Sequence, residues 1–410
     1  MSRQRTKIVE QLARIPGGER QIVAARPVRL LGALVERLPS PTAHGNRKLL
    51  FQHVVLAHLL AFFNPCLRGL RSIQELFDQP HVRKRFATPK LPRSTLADAQ
   101  RVFDPALLLP LIASLVQRVK ATVHDRRLDV LTQKLLAVDG TFFTVAHRIV
   151  WALFNGGGKG NVRAHVRFDV LKGVPEAAVL THGRAGESAE LLKHLESGCL
   201  YLMDRGFQSY ALLKAILDTS SDFLVRLRKS AVLRTLEELR RSAADQAAGV
   251  VADRIVQLGC GDDQTPALPP LRCVEVVFTT RRGQVETLHL LTSRLDLPAH
   301  LIALLYQHRW QVELFFRWLK CVANFEHFFS ESLEGMTLQV YVSIIGTLLI
   351  ALETGVKPSK YDYTMISCVL CGWSDLDEAL QAGAKRRAER QRAAEWQRAY
   401  NARKADANRA

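Results

Sequence analysis

Three acidic residues far apart in the chain, Asp139, Asp204 and Glu313, stand where carboxylates can do chemistry. Asp139 closes the apolar, strand-length run Leu135-Leu136-Ala137-Val138 and opens Asp139-Gly140-Thr141, where the chain is expected to turn. Asp204 closes Leu200-Tyr201-Leu202-Met203 in the same way and opens Asp204-Arg205-Gly206-Phe207. Two acids that end adjacent strands can sit side by side at one sheet edge, within reach of one pair of metal ions. Either Asp taken alone reads first as a turn former. Glu313 belongs to a segment in which Tyr306, Arg309, Glu313, Arg317 and Lys320 recur at spacings of three and four. They share one face of a helix and present Tyr, Arg, Glu, Arg and Lys to one surface, while Val312, Phe315, Phe316, Leu319 and Val322 fall mostly on the other side. An intrahelical Arg309–Glu313–Arg317 ladder accounts for the acid at roughly a few tenths of a kcal/mol per pair. It gives no reason for the flanking Tyr306 and Lys320.

The elements that must position these residues follow from hydrophobic pattern. Residues 20–130 read as helices, at Val28–Leu38, Leu49–Phe62 and Ser72–Phe77, with a further helix to about Phe103 capped by Ser94 or Thr95. That basic helix either enters a major groove or packs on its neighbours. From Gln133 the texture becomes mixed: the strand before Asp139, strands over Ala164–Val170 and Val174–Thr181 joined at Gly173, a helix from Gly186-Glu187-Ser188 to His194, the strand before Asp204, a helix over Tyr210–Leu217 and a strand over Phe223–Leu227. This order is that of a ribonuclease-H-like mixed α/β sheet covered by helices. Residues 229–294 read as a β-rich insertion, with strands at Arg272–Thr279 and Glu286–Leu291, and helical periodicity returns from Pro298 to Val322. The expected organisation is a helical, basic domain at 1–130, a catalytic domain at 131–228 and 295–355, the insertion at 229–294, and a basic helical tail at 356–410.

Composition narrows the partners. The formal charge is +18, with 57 Lys and Arg against 39 Asp and Glu, and residues 1–130 hold 22 of the basic and 9 of the acidic side chains. So localised a basic module favours a polyanion over a neutral metabolite. Seven scattered cysteines lack framework spacing, which suits a reducing cytoplasm, and Cys368-x-x-Cys371 has no second Cys or His pair for a structural zinc. The polar stretch Met1–Glu10 does not read as an export signal. The apolar run Leu338–Leu352 is too short for a membrane span and is expected as a buried core helix. Gly156-Gly157-Gly158-Lys159-Gly160 lacks the spacing of a nucleotide P-loop and is expected as a loop near the partner. His165, Asp169 and His182 form no recognised metal spacing, and Glu187 is an acid that could approach the site after the hairpin.

Tyr306-x2-Arg309-x3-Glu313-x6-Lys320 matches the Y-x2-R-x3-E-x6-K signature of the insertion-sequence-four family of bacterial DDE transposases, and Asp139-Gly140-Thr141 and Asp204-Arg205-Gly206-Phe207 resemble that family's blocks around its first two acids. The resemblance covers roughly residues 133–325. It implies a DNA transposase, in the bacterial cytoplasm and associated with the nucleoid, that cuts double-stranded DNA at transposon-end inverted repeats and joins the ends to target DNA. Asp139, Asp204 and Glu313 would hold Mg²⁺ or Mn²⁺ for a two-metal phosphoryl transfer, with no other cofactor. Tyr306, Arg309 and Lys320 would contact the terminal phosphates, a task that suits cations beside a carboxylate cluster. Pairing two ends implies at least a homodimer in the synaptic complex. Better-known relatives carry a Trp on the β-insertion that stacks on a flipped base, whereas this chain has none between 220 and 300. A ribonuclease-H-like nuclease without strand transfer, and a domesticated transposase that only binds DNA, are the alternative readings.

Overall fold

The computed structural model describes residues 49–64, 66–86, 88–122, 125–145, 153–154, 157–259, 268–279, 284–322, 328–371 and 373–407. The helix expected over Val28–Leu38 lies outside them. The chain divides into two compact units, Met1–Val102 with Pro358–Ala410, and Phe103–Lys357. The boundaries read from the sequence near 130 and 355 thus fall at 102/103 and 357/358.

In the first unit, helices α1 (Phe51–Phe63), α2 (Leu70–Phe77), α3 (Pro80–Phe86) and α4 (Arg93–Val102) precede the sheet unit in the chain. α4 begins at Arg93, so Ser94 and Thr95 lie inside its first turn and do not cap it; the amide of Leu96 already donates to the carbonyl of Pro92. Pro at the entry suits a helix start because its missing N–H would have no intrahelical partner there.

The second unit holds helices α5 (Leu109–Arg118), α6 (Glu187–Leu192), α7 (Tyr210–Asp218), α8 (Ala243–Ala247), α9 (Ala299–Val322) and α10 (Leu333–Thr354) around one ten-stranded sheet. Its strands are β1 (Lys134–Val145), β2 (Leu153–Phe154), β3 (Gly157–Asp169), β4 (Val174–His182), β5 (Cys199–Met203), β6 (Asp222–Arg226), β7 (Leu233–Glu238), β8 (Val250–Leu258), β9 (Leu271–Thr279) and β10 (Val285–Thr292). They run in the order β2-β3-β1-β5-β6-β10-β9-β8-β7, with β4 on β3. The pairs β1/β5 and β5/β6 are parallel and the remaining pairs antiparallel. Parallel neighbours need a crossover, which α7 supplies between β5 and β6.

Gly173 turns the β3–β4 hairpin at φ +69°, as the sequence predicts. Two expectations change. β1 does not turn at Asp139-Gly140-Thr141 but runs on to Val145, because its outer half keeps pairing with β3 as far as Gly160. For the same reason Gly157–Gly160 is strand and not loop. The region 229–294 carries β7, β8 and α8 besides the two expected strands, and it extends the common sheet through β10 on β6.

The core on one side of the sheet gathers Leu136, Val138, Tyr201, Met203, Phe223 and Val225 against Leu212, Leu213 and Ile216 of α7 and Leu191 of α6. Alternate residues of β1 point the other way, where α9 packs on β1 and α10 on β4. α10 is longer than the 15 or so apolar residues suggest, 22 in all, and by length and composition it passes as a membrane span; 89% of its most apolar window is nevertheless buried inside the protein, which makes it a core helix. Helices α11 (Lys360–Leu370) and α12 (Leu376–Ala407) return to the first unit, where the Tyr363 hydroxyl donates to the carbonyl of Phe62 and its ring meets Phe62 and Phe63. Residues 388–401 of α12 are exposed all round, as expected of a basic tail helix.

Candidate active site

The parallel register of β1 and β5 sets the site. Val138 stands opposite Met203 in the last parallel pair, so Asp139 and Asp204 leave adjacent strands at the same level. Strands buried on both faces hold that register firmly, since a slip by one residue would exchange core and solvent faces. Asp139 stays in the strand and accepts a hydrogen bond from the Gly140 amide at 2.8 Å. Asp204 leaves β5 and precedes the 3₁₀ turn Arg205–Phe207, whose Phe207 amide returns to its carbonyl.

α9 brings the other half of the site. Arg309 lies with Nη1 3.5 Å from Asp139 Oδ2 and donates from Nη2 to Glu313 Oε1 at 2.5 Å. Tyr306 donates at 3.4 Å to Asp204 Oδ1, and its ring lies under the Arg309 guanidinium at 5.5 Å. Two residues of the helical signature therefore touch all three acids. The helix face read from the sequence is present but unevenly exposed: Tyr306 and Arg309 are buried, Glu313 and Lys320 half-buried, and Arg317 alone fully exposed. The correction has a plain cause, since the upper part of this face meets the acids of the sheet and not solvent. Lys320 lies further along β1, its ammonium 5.4 Å from the Phe143 ring.

Burial pushes the Asp139 carboxyl up to about 7, with Glu187 and Glu313 adding to the rise and the Gly140 amide and Arg309 opposing it. Burial likewise lifts the Tyr306 hydroxyl to about 12. Burial works against the charge on Arg309, and Tyr306, Glu313 and Asp139 outweigh it, so the guanidinium is held more firmly protonated. The site carries more carboxylate than its arginine neutralises.

A divalent cation suits that surplus, and an all-carboxylate donor set is the chemistry that Mg²⁺ and Mn²⁺ prefer. Among the described residues no three His, Cys, Asp or Glu side chains are gathered closely enough to chelate an ion; the Arg309 guanidinium links Asp139 and Glu313 instead. His165 bonds Thr181 Oγ1 at 2.8 Å and Asp169 accepts from the Lys172 amide, both structural roles. Sequence reasoning missed Arg163, directly opposite Phe142 in the β1–β3 ladder, with its guanidinium 4.2 Å above the Phe142 ring. A basic residue on a strand gives no sign of its neighbours until the register is known.

The chain matches the family model described as "Transposase DDE domain" over residues 131–349. It is 29% identical over 220 residues to "Putative transposase y4zB" of Sinorhizobium fredii, covering 53% of this chain and 60% of that one. It is 25% identical over 268 residues to "Probable transposase for insertion sequence element IS5377" of Geobacillus stearothermophilus, covering 65% and 68%. It is also 29% identical over 139 residues to "Transposase InsG for insertion sequence element IS4" of Escherichia coli, covering 32% and 29%. The match thus spans about three fifths of the length of the Sinorhizobium relative. The matched segment contains Asp139, Asp204, Glu313 and the whole helical signature, and the chain belongs to the transposase DDE domain family, of the insertion-sequence-four kind.

Proposed function

We propose that this chain is a DNA transposase that cleaves transposon ends and joins them to target DNA, with Asp139, Asp204 and Glu313 holding Mg²⁺ or Mn²⁺. The observation that carries the reading is the meeting of Asp139 and Asp204 at the last parallel pair of β1 and β5 with Tyr306, Arg309 and Glu313 of one helix. The run β4-β3-β1-β5-β6, antiparallel at one end and parallel through β5 and β6, supports a ribonuclease-H-like catalytic core, with β7–β10 as its insertion. When bound, the cations supply activation of the attacking oxygen and stabilisation of the leaving 3′-oxygen in an in-line displacement.

The protein's own residues position the reactants. Tyr306 holds Asp204 in place through its hydroxyl, and Arg309 orients Asp139 and Glu313 together. Arg309 keeps Nε and Nη1 without hydrogen-bond partners, donors that fit a phosphate oxygen of a terminal nucleotide. Lys320, along β1, extends the cationic track for the DNA backbone. Two ends joined in one event require two copies of the chain in the synaptic complex.

The test is a nicking and strand-transfer assay on duplexes carrying the inverted repeats that flank this coding frame, with Mg²⁺ or Mn²⁺, beside a gel shift on the same proteins. Asp139→Asn, Asp204→Asn and Glu313→Gln should each reduce cleavage by several orders of magnitude while DNA binding survives, and double variants should be scarcely worse than single ones. Near-normal cleavage by Glu313→Gln, or cleavage that persists in EDTA, would refute it. Cleavage without joining would favour the nuclease reading, and binding without cleavage the domesticated one.

A further inference from the structure

Glu187 opens α6, after the β3–β4 hairpin, and its carboxylate reaches both acid-bearing blocks at once. Two glycines make room for it. A Cβ on Gly140, next to Asp139, would collide with Glu187 Oε1, and a Cβ on Gly206, two residues past Asp204, would stand 3.0 Å from Oε2. Neither glycine is needed for its backbone conformation, since neither has positive φ. The missing side chains serve space, and that space holds an acid.

The electrostatics make this placement costly without a further cation. Glu187 adds its charge to buried Asp139 and feels that of Asp204, while Glu313 crowds Asp139 from α9. The cations facing the group are Arg163, which acts on Glu187, and Arg309, which acts on Asp139 and Glu313. Arg309 is only 7% exposed, yet its Nε and Nη1 find no hydrogen-bond partner where they point into this group. Four carboxylates thus stand against two guanidinium groups, one of them incompletely engaged. Unshared buried charge of this kind persists where a ligand neutralises it.

We propose that Glu187 is a fourth carboxylate of the divalent-cation site, acting beside Asp139 and Asp204 across the gap that Gly140 and Gly206 leave open. This rests on the reading of Asp139, Asp204 and Glu313 as the cation's ligands. Asp139→Asn and Glu187→Gln therefore have to be measured side by side.

The experiment titrates the full chain with Mn²⁺, follows the free ion by electron paramagnetic resonance, and records melting without metal. Glu187→Gln should weaken Mn²⁺ binding about 10-fold, with the metal-free melting temperature unchanged or raised, because one of several like charges has gone. Gly140→Ala, whose methyl displaces the Glu187 carboxylate, should weaken Mn²⁺ binding in the same direction. Wild-type affinity in Glu187→Gln with affinity lost in Asp139→Asn overturns the fourth carboxylate and leaves the triad standing. Wild-type affinity in both overturns the triad, and Glu187 with it. Weakened binding together with a lowered metal-free melting temperature makes Glu187 a structural support of α6 and also overturns the proposal.

Discussion

α9 carries Glu313, and its entry is anchored by a buried ion pair in the β-strand region that precedes it. Arg272 of β9 donates from Nε and Nη2 to the two oxygens of Asp253 on β8, at 2.8 and 2.7 Å, and from Nη1 to the carbonyls of Leu295 and Leu297 just before the helix. Asp253 is 2% exposed. Arg272→Met keeps the apolar stem but leaves that carboxylate buried with no counter-charge, a change that costs about 3–5 kcal/mol. The two orphaned carbonyls add to it, less for Leu295, which sits in an exposed stretch and can turn to water. A loss of about 4 kcal/mol should lower the melting temperature of a unit this size by about 10 °C. Arg272→Met with Asp253→Leu removes both charges and should recover most of the loss, since an apolar pair of similar volume replaces a buried ion pair at little cost. The assay is thermal unfolding of the two variants and the wild type, with amide hydrogen exchange over residues 299–305 to report the helix entry. A single variant that melts within about 1 kcal/mol of wild type, or a double variant as unstable as the single, refutes the anchoring role.

Two further outcomes follow from the same geometry. Arg309→Ala should weaken the complex with the transposon end by about 1.5–3 kcal/mol, the range of a hydrogen bond to a charged group, with a smaller effect on Mn²⁺ affinity; an unchanged end complex with lost metal binding reverses the assignment. His58 in the first unit donates from Nδ1 to the Val54 carbonyl and accepts at Nε2 from the Gln100 amide, so it is neutral, and burial pulls it down to about 4. The unfolded chain takes up that proton near 6.5 and the folded one only near 4, so this unit is most stable above about pH 6.5 and should lose about 3 kcal/mol as pH falls to about 4. Melting at pH 7.5 and pH 4.5 checks it, and His58→Leu should flatten the difference; an equal acid loss in that variant shows that the imidazole is not the cause.

What the sequence disclosed, and what it hid, divides along a physical line. The strands before both acids were legible because each is a continuous apolar run, and their adjacency followed from the expected order of elements. β7 gave no such signal: all but one of its residues are exposed, so it exists by pairing with β8 and not by burying a face. β8 was hidden by Asp253, a charge in the middle of a strand that only its partner on β9 makes tolerable. Gly140 suggested a turn because glycine usually marks one, whereas here its missing side chain admits the carboxylate of Glu187 into the edge of an unbroken strand.

The helix shows the limit most sharply. Spacings of three and four put Tyr306, Arg309, Glu313 and Lys320 on one face by geometry alone. Periodicity cannot say whether such a face meets water or protein, and a polar face is ordinarily given to water. Two carboxylates at the edge of the sheet reverse that default. Arg309 can be buried because Asp139 and Glu313 supply its counter-charge, and Tyr306 because its hydroxyl reaches Asp204. Arg317, one turn beyond Glu313 and past the acids, has no such partner among the printed ion pairs of the site and returns to solvent. The burial of a charged side chain on α9 is thus decided by residues more than a hundred positions away. It becomes readable only once β1, β5 and the helix are taken as one site.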